Sequence, residues 1–310
     1  MKRLSQYRRN VTSQFGEDGI IEAIFEKLGI EKGWCVEFGA WDGKLFSNTW
    51  NLWHNKGWNA VLIEGDPVRA NELEDNVKDY PNVTSIQSFI SHEGVSSLYK
   101  VLKKTNIPED FELLSIDVDG NDFHIWKEFK QYKPKLVIIE HNPTIPPHIE
   151  FVDLPGREGM EGIGCSAVAL VKLAKEKGYE LVCCTHSNCF FVRRELVPQL
   201  EIGDASLEKL FQYDGLTYIV SSYRGHPFLT KHNLLANDPS FVDSRSIEGV
   251  FRQIFLVPKH LPDSSMPVLL VSGDLLEKIV PFLKFFYNMY FIFSKIRKKL
   301  KQLMSIFRVS

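Results

Sequence analysis

Apolar residues recur at two different periods along the first two-thirds of the chain. In GEDGIIEAIFEKLGI (16–30), Ile20, Ile21, Ile24, Phe25 and Leu28 follow helical spacing, and Gly29 closes the segment. WCVEFGA (34–40) is a short continuous apolar run leading into Gly39 and Gly43, the pattern of a buried strand. NTWNLWHNKG (48–57) reads as a helix ended by Gly57, and NAVLIEGDP (59–67) as a second buried strand. A helix, the strand VTSIQSFIS (83–91), another helix and the strand ELLSIDVDG (112–120) follow. DFHIWKEF (122–129) is helical and KLVIIEHN (135–142) a strand; after a long loop, SAVALVKLAKEKG (166–178) is a helix. YELVCCTHS (179–187) and NCFFVRREL (188–196) close the series as strands.

Apolar strands alternating with helices of about ten residues imply crossover connections and a mostly parallel sheet covered on both faces. The last two strands have too little chain between them for a crossover, so they form an antiparallel hairpin. The expected fold is therefore α/β, a doubly wound, mostly parallel sheet with a terminal antiparallel hairpin. Residues 1–200 make this domain. From 201 to 272 the pattern weakens into polar, Gly-, Pro- and Asn-containing sequence, expected to pack on the domain as an extension. Residues 273–310 differ in kind and form an amphipathic basic tail.

Composition narrows the class without naming it. A hydrophobic share of 44% and a charged share of 25% suit a folded globular chain. The net charge of −2 gives no nucleic-acid footprint over the whole chain. Five cysteines, an odd number with no regular framework, suggest a reducing compartment. The basic start MKRLSQYRRNVTSQFGED has no apolar run after it and is not a secretory signal, which makes the cytoplasm the expected location.

The chemistry gathers where the strands end. In an open parallel sheet the ligand lies beyond the carboxyl ends of the strands. Glu37 ends the first strand, followed by Gly39, Asp42 and Gly43; Glu64 ends the second, followed by Asp66. Glycines let the backbone turn sharply and approach a ligand, and a later acid can accept hydrogen bonds from ribose hydroxyls. EFGAWDG lacks the Gly-x-Gly-x-x-Gly spacing of dinucleotide sites. Glu37 and Asp42 would repel a pyrophosphate but suit a cationic ligand such as the sulfonium and amino group of S-adenosylmethionine. The plainer alternative is that these glycines serve only a tight strand-to-helix turn.

At these residues the chain resembles the class I S-adenosylmethionine-dependent methyltransferases, whose fold is Rossmann-like. VEFGAWDG looks like their first motif and IEGDP like the acidic end of their second strand. SQFGEDGII and IDVDGNDFHIW look more narrowly like the FkbM-type family, with Asp119 standing where that family usually has Glu. The resemblance covers about residues 12 to 195. It implies methyl transfer to oxygen, often on sugars, with Glu37, Gly39, Asp42, Gly43, Glu64, Asp66 and Asp117 toward the cofactor.

Residues two apart on a strand share a face, so Asp117 and Asp119 are expected to point together with Ser115 beneath them. The neighbouring strand ends in Glu140, His141 and Asn142. Carboxylates with an amide oxygen are hard ligands suited to Mg²⁺ or Mn²⁺. The layout resembles metal-dependent O-methyltransferases, which implies Asp119, Glu140 and Asn142 as ligands and Asp117 facing the cofactor or sharing the metal. His141 or His124 is then the candidate to take the hydroxyl proton. In the metal-free alternative, Asp117 and Asp119 bind sugar hydroxyls or cap the next helix, which Asn121 and Asp122 also suit.

Three further segments bear on function. CCTHSNC (183–189) invites a zinc reading, but adjacent cysteines on a strand face opposite sides. At most one of Cys183 and Cys184 can join His186 and Cys189, a poor set, and buried thiols in a sheet are the better account. The loop 142–166 is long for its place and is expected to form part of the acceptor pocket, with His148, Arg157 and Glu158 as polar candidates. Ile279–Phe293 is apolar and aromatic but shorter than a membrane span, and the six Lys or Arg that follow fit an interfacial helix on an anionic membrane. A helix packed on the domain or on a partner is the alternative. The expected protein is an O-methyltransferase acting on a hydroxyl of a sugar in a glycan or glycoconjugate, with metal assistance open. The alternatives are a metal-independent methyltransferase of a small metabolite or lipid, and a non-catalytic glycan- or membrane-binding module of the same shape.

Overall fold

Seven strands form one twisted sheet in this computed structural model, which describes residues 3–156, 163–213, 219–221 and 227–229. The strands are β1 (Trp34–Phe38), β2 (Asn59–Glu64), β3 (Val83–Gln87), β4 (Leu113–Ile116), β5 (Leu136–Glu140), β6 (Tyr179–Cys184) and β7 (Asn188–Arg193). Their spatial order is β3-β2-β1-β4-β5-β7-β6. β1 to β5 pair in parallel, and β7 runs antiparallel to both β5 and β6. This is the doubly wound sheet with a terminal hairpin that the apolar strand runs imply. Strand order reverses between β1 and β4, so the crevice for a ligand opens at their carboxyl ends.

Among the described residues six α-helices accompany the sheet: α1 (Glu17–Lys27), α2 (Pro67–Val77), α3 (Leu98–Leu102), α4 (Asp122–Glu128), α5 (Ala167–Glu176) and α6 (Leu207–Leu210). α1 and α2 cover one face, where Ile20, Ile24 and Leu73 pack with Cys35, Leu62 and Ile138. α3, α4, α5 and α6 cover the other, where Val101, Trp126, Leu170 and Leu207 pack with Phe38, Ile116 and Ile139. Alternation along the strands decides which side chains reach which layer. The segment expected as a helix from 48 to 57 instead makes a single π-helical turn, Asn51–Asn55. Ser47, Asn48 and Thr49 before it are drawn onto a buried carboxylate, leaving too little chain for a regular helix.

β4 stops at Ile116, earlier than the sequence pattern suggests, and β3 stops at Gln87. Two short antiparallel strands, β8 (Ile219–Ser221) and β9 (Pro227–Leu229), belong to a separate compact unit. Most of the extension from 201 to 272 and the whole tail 273–310 lie outside the described residues. No helix among the described residues is long and apolar enough to cross a membrane.

Candidate functional site

The carboxyl ends of β1 and β4 touch. Gly39 has φ 74°, and a Cβ there would lie 1.7 Å from the carbonyl oxygen of Asp117. Gly43, at φ 82°, would place a Cβ 2.7 Å from Leu73 Cδ1. Gly39 is thus required by backbone conformation and by close approach, and Gly43 by its conformation.

Around this contact the acids divide into anchors and rim groups. Glu37 is buried; its Oε2 accepts from Ser47 Oγ at 2.5 Å and Thr49 Oγ1 at 2.7 Å, and its Oε1 from the Asn48 amide at 2.8 Å. Burial nevertheless raises its pKa, against the lowering by these donors. The sequence sets Glu37 toward the cofactor, and in the fold its carboxylate holds the 47–49 loop. Asp66 caps α2, accepting from the amides of Val68 at 2.8 Å and Arg69 at 3.0 Å. Asp42 closes its own turn through the amides of Lys44 and Leu45. In each, Oδ1 serves local structure. Glu64 keeps its expected place at the end of β2. Its two oxygens accept from the amides of Trp41 at 2.7 Å and Asp66 at 2.8 Å, which ties the loop after β1 to that after β2.

Asp122 explains one of the three acids in IDVDGND. It is buried, and its oxygens accept from the amides of Val118 and Gly120, both at 2.9 Å, so it folds the turn from β4 into α4. That turn, not strand alternation, sets the next two acids. Asp119 sits beyond the strand with φ 53°, a left-handed conformation that Asp adopts more readily than most residues. Carboxylate oxygens of Asp117, Asp119 and Glu140 lie within 4.8 Å of one another. The chain ends of β4 and β5 do converge on one point.

Asp117 sits among other carboxylates. Water reaches it, yet the surrounding protein and the carboxylates of Asp122, Asp119, Glu37 and Glu17 raise its pKa well above the usual value. Partial desolvation comes first and the like charges follow. A cation arriving here relieves that repulsion.

The remaining expected site residues lie elsewhere. Asn142 Oδ1 accepts from the Thr144 amide at 2.9 Å and hydroxyl at 2.6 Å, while Nδ2 donates to Ile163 O at 2.9 Å. Its lone pairs are used inside the loop, so its assignment as a metal ligand is corrected. His141 follows Glu140 and therefore projects to the opposite face. It is buried beside Phe211, with ring centroids 5.7 Å apart, and has Cys184 and Cys189 as neighbours. Burial lowers its pKa to about 4, and its place on the other face keeps it from taking a proton at the acidic rim. His124 places Nε2 2.8 Å from the carbonyl oxygen of Asp153, a hydrogen bond that steadies the 142–156 segment. His148 is exposed, and Arg157 and Glu158 lie outside the described residues.

Two contributors are not apparent from the strand-end pattern. Glu17 and Asp18 at the start of α1 are buried anchors. Asp18 Oδ2 accepts from the amides of Val11, Thr12 and Ser13 and from Ser13 Oγ, at 2.7–2.9 Å. Glu17 reaches Thr185 Oγ1 at 2.7 Å, joining α1 to the β6–β7 turn. Trp41, Leu45 and Phe46 form an exposed apolar group on the loop after β1, with Arg69 4.4 Å over the Trp41 ring. The signal for the first was the pair of acids before an apolar helix; for the second, aromatic residues beside glycines.

No family model matches the chain, and no curated protein matches it. Solved structures show slight likenesses. A precorrin-6y C5,15-methyltransferase from Geobacter metallireducens is 14% identical at a TM-score of 0.36, over 60% of this chain and 90% of that one. An S-adenosylmethionine-dependent methyltransferase from Aquifex aeolicus is 10% identical at 0.34, over 55% and 87%. The CurJ carbon methyltransferase is 9% identical at 0.42, over 61% and 57%. Likenesses this slight decide neither fold nor activity, which rest on the sheet order and the residues at its rim.

Proposed function

We propose that this chain is an S-adenosylmethionine-dependent methyltransferase acting on a hydroxyl oxygen, with a sugar of a glycan or glycoconjugate as the acceptor. The observation that carries it is the gathering of the Asp117, Asp119 and Glu140 carboxylates within 4.8 Å of one another, beside the β1–β4 crevice. A pyrophosphate or other anionic ligand is disfavoured there, and a sulfonium with its amino group is favoured. Glu64, at the end of β2, stands where a ribose would be met.

The bound donor supplies an electrophilic methyl group. The protein's part is to orient the acceptor oxygen in line with it and to take the hydroxyl proton, so that the new carbon–oxygen bond forms as the carbon–sulfur bond breaks. Asp117 is the residue assigned to the proton, because it stands just past the end of β4 beside the crevice, within 4.8 Å of Asp119 and Glu140. Asp119 and Glu140 extend the anionic rim toward vicinal hydroxyls of the acceptor. The three carboxylates also fit a hard divalent ion in donor type and mutual distance, so Asp117, Asp119 and Glu140 would hold Mg²⁺ or Mn²⁺, which lowers the pKa of a coordinated hydroxyl.

Calorimetric titration of S-adenosylmethionine into the purified full chain tests the reading. One site per chain is expected, and absence of binding would eliminate a methyl-transfer role. Incubating the chain with labelled donor and a panel of glycans then tests the acceptor class, and EDTA in the same assay tests the ion.

A further inference from the structure

The face of the sheet opposite the acids holds a second cluster that the methyl-transfer chemistry leaves unused. Cys184 on β6 and Cys189 on β7 are directly cross-strand partners, and their sulfurs are 3.5 Å apart. A ring nitrogen of His141 joins them, the three donor atoms lying within 4.8 Å of one another. All three side chains are buried: His141 is 2% exposed, Cys184 1% and Cys189 0%.

Two bland accounts fall short of explaining the arrangement. A thiol–thiol hydrogen bond accounts for the sulfur pair but leaves the imidazole idle. Both ring nitrogens of His141 lack a hydrogen-bond partner, although the ring is enclosed. A buried polar group without a partner costs on the order of 1–3 kcal/mol, a loss that an apolar residue at this position would avoid. A disulfide between Cys184 and Cys189 would require sulfurs about 2.05 Å apart, far closer than they stand. Two thiolates sharing a tetrahedral zinc ion, with bonds of about 2.3 Å, sit roughly 3.8 Å apart, close to the spacing found here.

We propose that His141, Cys184 and Cys189 form a binding site for a zinc-class ion. The ligand set crosses three strands, from the end of β5 to the hairpin β6–β7, which spacing within CCTHSNC alone does not reveal. Binding converts two thiols to thiolates and releases two protons. Two thiolates, a neutral imidazole and a divalent cation sum to zero charge, a balance suited to an apolar interior. Cys165 is buried in the same core layer and, entering as a neutral thiol in the fourth position, would leave that balance unchanged. The ion would fasten the last hairpin to β5 one residue beyond Glu140, and so hold that carboxylate in place at the rim.

The test uses the full chain, independently of any methyl-transfer assay. Protein unfolded in guanidinium with EDTA is desalted and refolded with ZnCl₂, with CoCl₂ or with EDTA. The expected results are about one zinc retained per chain after gel filtration, and sulfur-to-cobalt charge-transfer absorption with the visible bands of tetrahedral cobalt. Cys184→Ala, Cys189→Ala and His141→Leu lose both signals. Cys183→Ala, on the same strand but the other face, and Asp117→Asn, at the acidic rim, keep them. Should the variants fail to fold, the wild type still decides, with a thermal midpoint higher after refolding in zinc than in EDTA. Equal midpoints with no retained metal, metal that survives in the triad variants, or a mass two hydrogens lighter from a Cys184–Cys189 disulfide would each overturn the proposal.

Discussion

Gly39 and Asp117 face each other across the β1–β4 crevice so closely that a single added methyl on Gly39 would sit 1.7 Å from the Asp117 carbonyl oxygen. The same contact fixes where the Asp117 carboxylate stands relative to Glu140. Gly39→Ala is therefore expected to lower stability by more than about 2 kcal/mol, the left-handed φ and the clash acting together. Urea unfolding of the variant measures it, and a midpoint equal to wild type would mean that the two strand ends are not in contact.

Asp117→Asn removes the assigned proton acceptor and one member of a repulsive set. Methyl transfer should fall by roughly 10²–10⁴-fold while folding is retained. If a divalent ion assists, Asp119→Asn and Glu140→Gln raise the Mg²⁺ concentration for half-maximal activity, whereas Asn142→Ala leaves it unchanged. Initial rates against Mg²⁺ concentration distinguish these outcomes, and Asp117→Asn with full activity would remove Asp117 from the chemistry.

The buried Glu37 gives a pH signature whose sign follows from its raised pKa. The folded state keeps the Glu37 proton to higher pH than the unfolded chain does, so this residue's contribution falls as pH rises from its ordinary value of 4.5 through the folded-state value. In Glu37→Gln that titration is absent. The wild-type advantage in urea midpoint should shrink with rising pH across this window; an advantage that grows instead would contradict the burial argument.

Asp18 offers one oxygen to four donors at the start of α1. Asp18→Ala strands three backbone amides of the 11–13 loop and is expected to cost about 3 kcal/mol, with Asp18→Asn costing less because it keeps an acceptor. Denaturant midpoints of the two variants test the order.

The strand runs WCVEF, NAVLIE, LLSI and LVIIE are legible because period and apolarity are local properties of the chain. From those runs alone, Glu37, Glu64, Asp117 and Glu140 fall at or just past strand ends. Alternation also carries the information that His141 and Glu140 face opposite ways, which emerges only when a strand end is treated as two faces rather than one point. The hydrogen bonds made by short polar side chains are not legible, since Ser47, Thr49 and Thr144 become partners of Glu37 and Asn142 only when loops fold back.

The sequence by itself determined the sheet, its reversed last strand and the rim on which acids collect, because hydrophobic burial follows a period that each segment carries alone. Tertiary structure decided which acids remain to meet a ligand. Glu37 is engaged by an amide and hydroxyls of the 47–49 loop, and Asp66 and Asp122 by amides of the turns they sit in. Asp117, Asp119 and Glu140 gather because two strands and one left-handed turn end together. A carboxylate's role depends on which donors reach it, and that is a property of the folded chain.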